Sequence, residues 1–266
     1  MQKILGQVRR CVEDYHMIDA GDVVAVGVSG GKDSLVTLTA LARLRAFYPI
    51  PFTVHAITLE TGTPGMCFDA VADLCRQLDV PYTRIQVPVY DIVFNERKEK
   101  NPCSLCAKLR RGSLNTALTD LGIRKIALGH HYDDAIETLL MNLLFEGRIG
   151  CFQPVTYLDR TGITQIRPLL YCREDDIRRA AQRLRLPVVH NPCPANGHSR
   201  RQEVKELIAG LEGRYPDIKQ KLFGSLRKTR WLMIRFSITC SGQTQPLLAV
   251  STVPSTRSFT PLQTLE

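Results

Sequence analysis

The sequence predicts an α/β protein with a Rossmann-like, five-stranded parallel sheet and helices on both faces. Three observations predict it. Short β-branched runs alternate with stretches of helical apolar spacing along most of the 266 residues, the pattern of successive βαβ units. The first unit turns through "SGGKDS", Ser29 to Ser34, with two glycines between strand and helix. A second polar cluster, "GHHYDD" from Gly129, directly follows another predicted strand. In parallel sheets ligands sit beyond the carboxyl ends of the strands, where both clusters fall.

In chain order, residues 2–18 read as an amphipathic helix ahead of the sheet. "DVVAVGV" (22–28) is the first buried strand, and the stretch from Lys32 is its helix. "FTVHAITL" (52–59) is the second strand, followed by a helix near 66–79 and the third strand "YTRIQV" at 82–87. A helix near 104–121 leads into "KIALG" (125–129), the fourth strand, with another helix near 133–146. "TQIRPL" (164–169) is the fifth strand and "EDDIRRAAQRL" (174–184) the next helix. The end is rich in Ser, Thr and Pro with little helical period. The expected organisation is thus an N-terminal helix over 1–20, one domain over 21–230 and a poorly ordered tail over 231–266.

Composition narrows the partners. The net charge of +9 favours a polyanion. No apolar run is long enough to span a bilayer, and charges throughout the first residues argue against a signal peptide. A cytoplasmic location is therefore expected, where the nine cysteines stay reduced. There a clustered pair binds metal or does chemistry rather than forming a disulfide.

"VGVSGGKDSL" has the physics of an anion site without being the usual nucleotide loop. That loop reads G-x-x-x-x-G-K-[ST], whereas here Val26 replaces the first glycine and Asp33 the hydroxyl residue. Gly30 and Gly31 still let backbone N–H groups reach an anion at a helix N-terminus, beside Lys32 and between the hydroxyls of Ser29 and Ser34. A carboxylate at Asp33 would repel that anion unless Mg²⁺ sits between them, which points to a metal–pyrophosphate complex. The bland alternative is a turn capped by Ser29 or Asp33. In the second cluster, Gly129 permits close backbone approach and His130 or His131 offers stacking or hydrogen bonding. Asp133 and Asp134 supply carboxylates for Mg²⁺ or for proton removal, with an N-cap as the plain role for Asp133. Glu137 lies one turn further along.

Cys103 and Cys106 form C-x-x-C at the start of a helix, a spacing that grips one ion or cluster. Cys193, in a Pro-bracketed loop, is the candidate third ligand. A zinc site completed by His190 and a redox-active pair are the alternatives. Cys11, Cys67, Cys75, Cys151, Cys172 and Cys240 are expected to be inert core residues. Basic segments flank the proposed ligands, and Lys108, Arg111, Arg200 and Arg201 suit phosphate contacts with a folded RNA.

"SGGKDS" resembles the PP-loop of the ATP pyrophosphatase superfamily, whose fold is of this Rossmann-like type. "LGHHYDDAIETLLMNLLF" (Leu128 to Phe145) resembles the G-H-x-x-D-D-x-x-E-T element of its tRNA-modifying members, and "IRPLLYCRE" (Ile166 to Glu174) their R-P-L segment. Together with "NPCSLCAKLRRG" and "NPCPANGHSRRQ", the set closely resembles the TtcA-type tRNA 2-thiocytidine synthetases over roughly residues 20–230.

The resemblance implies an enzyme that splits ATP into AMP and pyrophosphate and adenylates an anticodon-loop cytidine at O2. Sulfur then replaces that oxygen. It implies ATP and Mg²⁺ at Ser29–Ser34, with the adenine near Leu59 and Gly129. It also implies a [4Fe-4S] cluster on Cys103, Cys106 and Cys193 with one iron open to exogenous sulfide. Related thiouridine-forming enzymes carry a lysine four residues after the second cysteine. This chain has Arg110, as the TtcA-type pattern does, suited to polarising a carbonyl or balancing the adenylate but not to acting as a base. The expected partners are tRNA and a sulfur donor, either a cysteine desulfurase or a small-molecule sulfide, with a homodimer common among relatives. Lysidine or 2-thiouridine synthesis, a non-catalytic zinc or iron–sulfur RNA-binding module, and a small-molecule ligase remain as alternatives.

Overall fold

The computed structural model describes residues 1–97, 102–193 and 200–229. The chain runs α1 (Gln2–Asp14), β1 (Val23–Gly27), α2 (Lys32–Leu44), β2 (Thr53–Glu60), α3 (Asp69–Gln77), β3 (Tyr82–Gln86), α4 (Pro102–Asp120), β4 (Lys125–Ala127), α5 (Tyr132–Glu146), β5 (Val155–Leu158), β6 (Ile163–Ile166), α6 (Glu174–Arg183), α7 (Arg200–Arg214) and α8 (Ile218–Lys228). A π-helical turn (Asp91–Glu96) precedes α4, and a single 3-10 turn (Pro168–Tyr171) follows β6.

The strand order is β3-β2-β1-β4-β6-β5. β1 pairs in parallel with β2 on one side and β4 on the other, so the order reverses at β1 and opens a crevice at its carboxyl end. Alternation along β1 divides the core. Val24 and Val26 join the larger cluster with Val54, Ala56 and the apolar stripes of α1 and α2. Ala25 points the other way, with Ile57, Ile126 and Ile163 against Leu118 of α4. Leu118 is fully buried, and that burial contributes about 2 kcal/mol. Helices thus cover both faces, unevenly.

The sheet has six strands rather than five. β5 pairs antiparallel with β6, Val155 opposite Ile166 and Leu158 opposite Ile163, and forms the edge. The reversal uses Gly162 at φ +65°, which glycine adopts at little steric cost. The fifth predicted strand, 164–169, is β6, and it stops at Ile166. Pro168 has no N–H for a ladder and starts the 3-10 turn instead. Helix α1 ends at Asp14 rather than near 18, because His16 takes a left-handed backbone, φ +46°. The final helices α7 and α8 complete the packing around α5 and bury Val204, Ile208, Phe223 and Leu226. The tail over 231–266, with Cys240, lies outside the described residues.

Candidate active site

The loop after β1 is shaped by close approaches that only glycine allows. Gly30 has φ +83°, and a Cβ there would lie 2.7 Å from the Cβ of Val189. Val189 N donates to the Gly30 carbonyl at 3.0 Å, which straps the segment leading to Cys193 onto the loop. A Cβ on Gly129 would come within 3.0 Å of the Asp33 carbonyl carbon, so the β4–α5 turn packs directly on the loop backbone. Gly31 N donates to Ser29 Oγ at 3.4 Å, and Ser34 Oγ donates to the Gly31 carbonyl at 2.8 Å. Gly31 is the N-cap of α2, without a side-chain cap. Ser29 thus caps the turn, but neither Ser29 nor Asp33 caps the helix. The first N–H groups of α2 are left to an anion.

Around this loop the charged side chains form a closed circuit. Lys32 Nζ lies 3.0 Å from Asp33 Oδ1 and 3.0 Å from Glu174 Oε1. Glu174 Oε2 lies 3.4 Å from Lys205 Nζ, which is 3.6 Å from Glu137 Oε1. Arg201 Nη1 joins Glu137 and Asp134 at 3.0 Å each. His131 closes the circuit, with Nε2 3.4 Å from Asp134 Oδ2 and 3.7 Å from Asp33 Oδ1. Burial pushes the Lys32 pKa down, but Asp33 and Glu174 outweigh it and hold the amine above its ordinary value. Burial pushes Glu174 up, and Lys32 and then Lys205 pull it down to about 2. Burial leaves Glu137 raised despite Lys205 and Arg201.

Several predicted residues take more specific places than sequence assigned. The N-cap of α5 is His131, not Asp133. Its Nδ1 accepts from Asp134 N while its own N–H donates to Asp134 Oδ2, a reciprocal capping box. Asp133 is an anchor: Oδ2 accepts from Glu174 N at 2.7 Å, and Oδ1 pairs with Lys219 at 3.2 Å. His130 stacks on Phe152, ring centroids 4.9 Å apart, with Arg167 over the same Phe152 ring at 5.1 Å. Burial, helped by Arg167, lowers the His130 pKa to about 4. Its Nδ1 has no hydrogen-bond partner among the described residues.

A cavity of ≈ 380 Å³ adjoins the loop. Ser29, Gly31 and Leu59 line one side of it; Cys103, Cys106 and Arg110 of α4, with Cys193, line the other. The three cysteines, separated by up to 90 positions, thus open onto one space beside the anion loop. The residues of α4 in the lining, 102, 103, 106, 107 and 110, share one helical face. Phe68, Val89, Tyr90 and Phe94 supply apolar walls. Gly129 and His130 are not part of the lining; Gly129 acts through its contact with the loop. All three thiols are free. Among the described residues no three His, Cys, Asp or Glu side chains meet closely enough to hold a single metal ion, and His190 is exposed. Three thiol sulfurs opening onto one cavity are a donor set that suits a thiolate-bound centre such as an iron–sulfur cluster.

Of the other cysteines, Cys11, Cys75 and Cys172 are buried, as expected, whereas Cys67 is exposed and Cys151 is half-buried. Of the basic residues, Lys108 and Arg111 are exposed on α4 and have no ion-pair partner among the described residues. Arg200 lies over the Phe145 ring at 5.0 Å. Arg201 is held by Asp134 and Glu137. Sequence reading passed over Glu174 and Lys205 as site residues. Glu174 follows the R-P-L segment closely, which was a usable signal; Lys205 carried none, because its partners come from distant segments.

Comparison with known proteins agrees with this geometry. The PP-loop domain family matches residues 3–210. The tRNA-cytidine(32) 2-sulfurtransferase of Geobacter sulfurreducens is 39% identical over 228 residues, covering 85% of this chain and 89% of the relative. Its counterpart from Anaeromyxobacter dehalogenans (strain 2CP-C) is 38% identical over 229 residues, covering 85% and 78%. Among solved structures, the U34-tRNA thiolase NcsA from Methanococcus maripaludis with its [4Fe-4S] cluster superposes with a TM-score of 0.68. That pair is 26% identical, covering 85% of this chain and 78% of the thiolase. A phosphate loop, a three-cysteine cavity and this degree of likeness converge: the chain belongs to the PP-loop family, among the tRNA-cytidine(32) 2-sulfurtransferases.

Proposed function

We propose that this protein is an ATP-dependent tRNA sulfurtransferase that replaces O2 of cytidine 32 with sulfur. One observation carries the reading: the anion loop and three free cysteines share one cavity. ATP binds with its phosphates on the loop N–H groups, Lys32, Ser29 and Ser34, and its adenine toward Leu59. Asp33 would hold Mg²⁺, which would supply positive charge to offset that of the phosphates. The cytidine O2 attacks the α-phosphate and pyrophosphate leaves, which turns a poor leaving oxygen into AMP. Arg110, which lines the same cavity as the loop, balances charge on the adenylate. The apolar walls exclude water that would hydrolyse it. A [4Fe-4S] cluster held by Cys103, Cys106 and Cys193 would supply an iron site able to carry sulfide.

Lys108, Arg111 and Arg200 meet RNA phosphate, and Arg201 serves chiefly to hold Asp134 and Glu137. The sulfur donor, a cysteine desulfurase or a low-molecular-weight sulfide, a homodimeric assembly and a cytoplasmic location belong to the same reading. No helix among the described residues is long and apolar enough to cross a membrane. Mass spectrometry of tRNA nucleosides from cells with and without the gene tests the function. Loss of 2-thiocytidine, mapped to position 32, is the expected result. Loss of 2-thiouridine or lysidine instead, or no change, overturns it.

A further inference from the structure

Glu174 stands between two lysines, with Arg178 Nη2 on its own helix also 3.7 Å from Oε1. One carboxylate oxygen is 3.0 Å from Lys32 in the phosphate loop and the other is 3.4 Å from Lys205 on α7. Its backbone is fixed, because Asp133 takes its N–H at 2.7 Å, so only the side chain can redistribute. Lys205 can accept more of it. Its other carboxylate, Glu137, is independently held by Arg201 at 3.0 Å and leans on Lys205 at 3.6 Å.

We propose that Glu174 is an exchangeable counter-ion for Lys32, competing with nucleotide phosphate for the amine, with Lys205 taking up the carboxylate when phosphate wins. Glu174 is then a positioning residue, and the exchange couples occupancy of the phosphate loop to α7. The competition runs across the physiological pH range, because Glu174 stays ionised far below it.

This inference rests on the reading that Lys32 binds phosphate, and the test separates the two. Full-length wild type, Glu174→Gln, Lys205→Met and the double variant are titrated calorimetrically with the Mg²⁺ complex of α,β-methylene-ATP. Removing the competitor should tighten binding in Glu174→Gln by about threefold, the scale of one partly exposed ion pair. Removing the alternative partner should weaken it in Lys205→Met by about as much. The double variant should match Glu174→Gln, because the remaining contact of Lys205, with Glu137, does not touch the phosphate loop. Lys205→Arg should restore wild-type affinity. A merely structural role would weaken binding in both single variants, additively, and Lys205→Arg would bind as weakly as Lys205→Met; either result overturns the exchange. If Lys32→Met binds the nucleotide as wild type does, the phosphate-loop reading itself fails and takes this one with it.

Discussion

The two sides of the cavity are built differently. On the loop side, glycine contacts lock the backbone and a closed circuit of ion pairs fixes the charged groups from α2, α5, α6 and α7. On the cysteine side, α4 buries only Ala117 and Leu118, both at its far end. Cys103 near its start is exposed, and Cys106 and Cys193 are half-buried. The protein's own contacts set the geometry of the first wall. At the second the chain supplies thiolates, and the bond energy of a metal centre is available to set their spacing. The contrast gives the two walls opposite sensitivities to mutation.

The largest effect should come from the cysteine wall, and on activity alone. Cys106→Ala or Cys193→Ala should leave no detectable thiolated nucleoside, with iron and sulfide lost from anaerobically purified protein. Stability should change by no more than about 0.5 kcal/mol, as at other poorly packed surface sites. Denaturant titration beside nucleoside analysis checks both. A loss of several kcal/mol would erase the distinction between the walls.

Gly30→Ala attacks the loop wall. The new Cβ is strained at φ +83° and overlaps Val189, so the two costs together should remove about 4 kcal/mol of stability. Nucleotide binding should be lost with it. A variant as stable as wild type would show that the strap to Val189 yields easily.

His130 sharpens the comparison through pH. Its ordinary pKa of 6.5 falls to about 4 through burial. As pH drops between those values the unfolded chain takes up a proton that the native protein refuses, so stability falls. Roughly 3 kcal/mol is lost across the window. His130→Phe should lack this slope. Urea denaturation of both proteins at about pH 7 and about pH 4.5 decides it; equal losses would place the titration elsewhere.

The smallest effects separate two adjacent arginines. Arg201→Ala leaves the buried Glu137 with only the longer contact to Lys205 and Asp134 with only His131, at a cost of about 1 kcal/mol. Arg200→Ala leaves no carboxylate unpaired, so its effect should appear only as weaker tRNA binding with a shallower salt dependence, by about one phosphate contact. A salt series on Arg200→Ala that overlays wild type would remove that residue from the RNA face.

Much of this was readable locally. β1, β2 and β4 announced themselves through β-branched runs, and the phosphate loop through glycines between a strand and a helix. Both depend on neighbours a few residues apart. The cysteine trio was read from spacing and family resemblance, and the cavity brings its members together. The β5–β6 hairpin was missed because four-residue strands carry too few alternations to stand out, and the β6 run was extended past Pro168.

By itself, the sequence determined the mostly parallel α/β architecture, the anion loop and the identity of the candidate ligands, because periodicity, glycine conformation and motif spacing act over short stretches of chain. Tertiary structure decided which partner each charge meets. That Asp133 takes the N–H of Glu174, that Arg201 reaches Glu137 and that Lys32 is shared with Glu174 depend on partners 41, 64 and 142 positions away. A carboxylate looks the same in the sequence whichever cation it will meet. Coulomb attraction falls with distance in space and takes no account of distance along the chain.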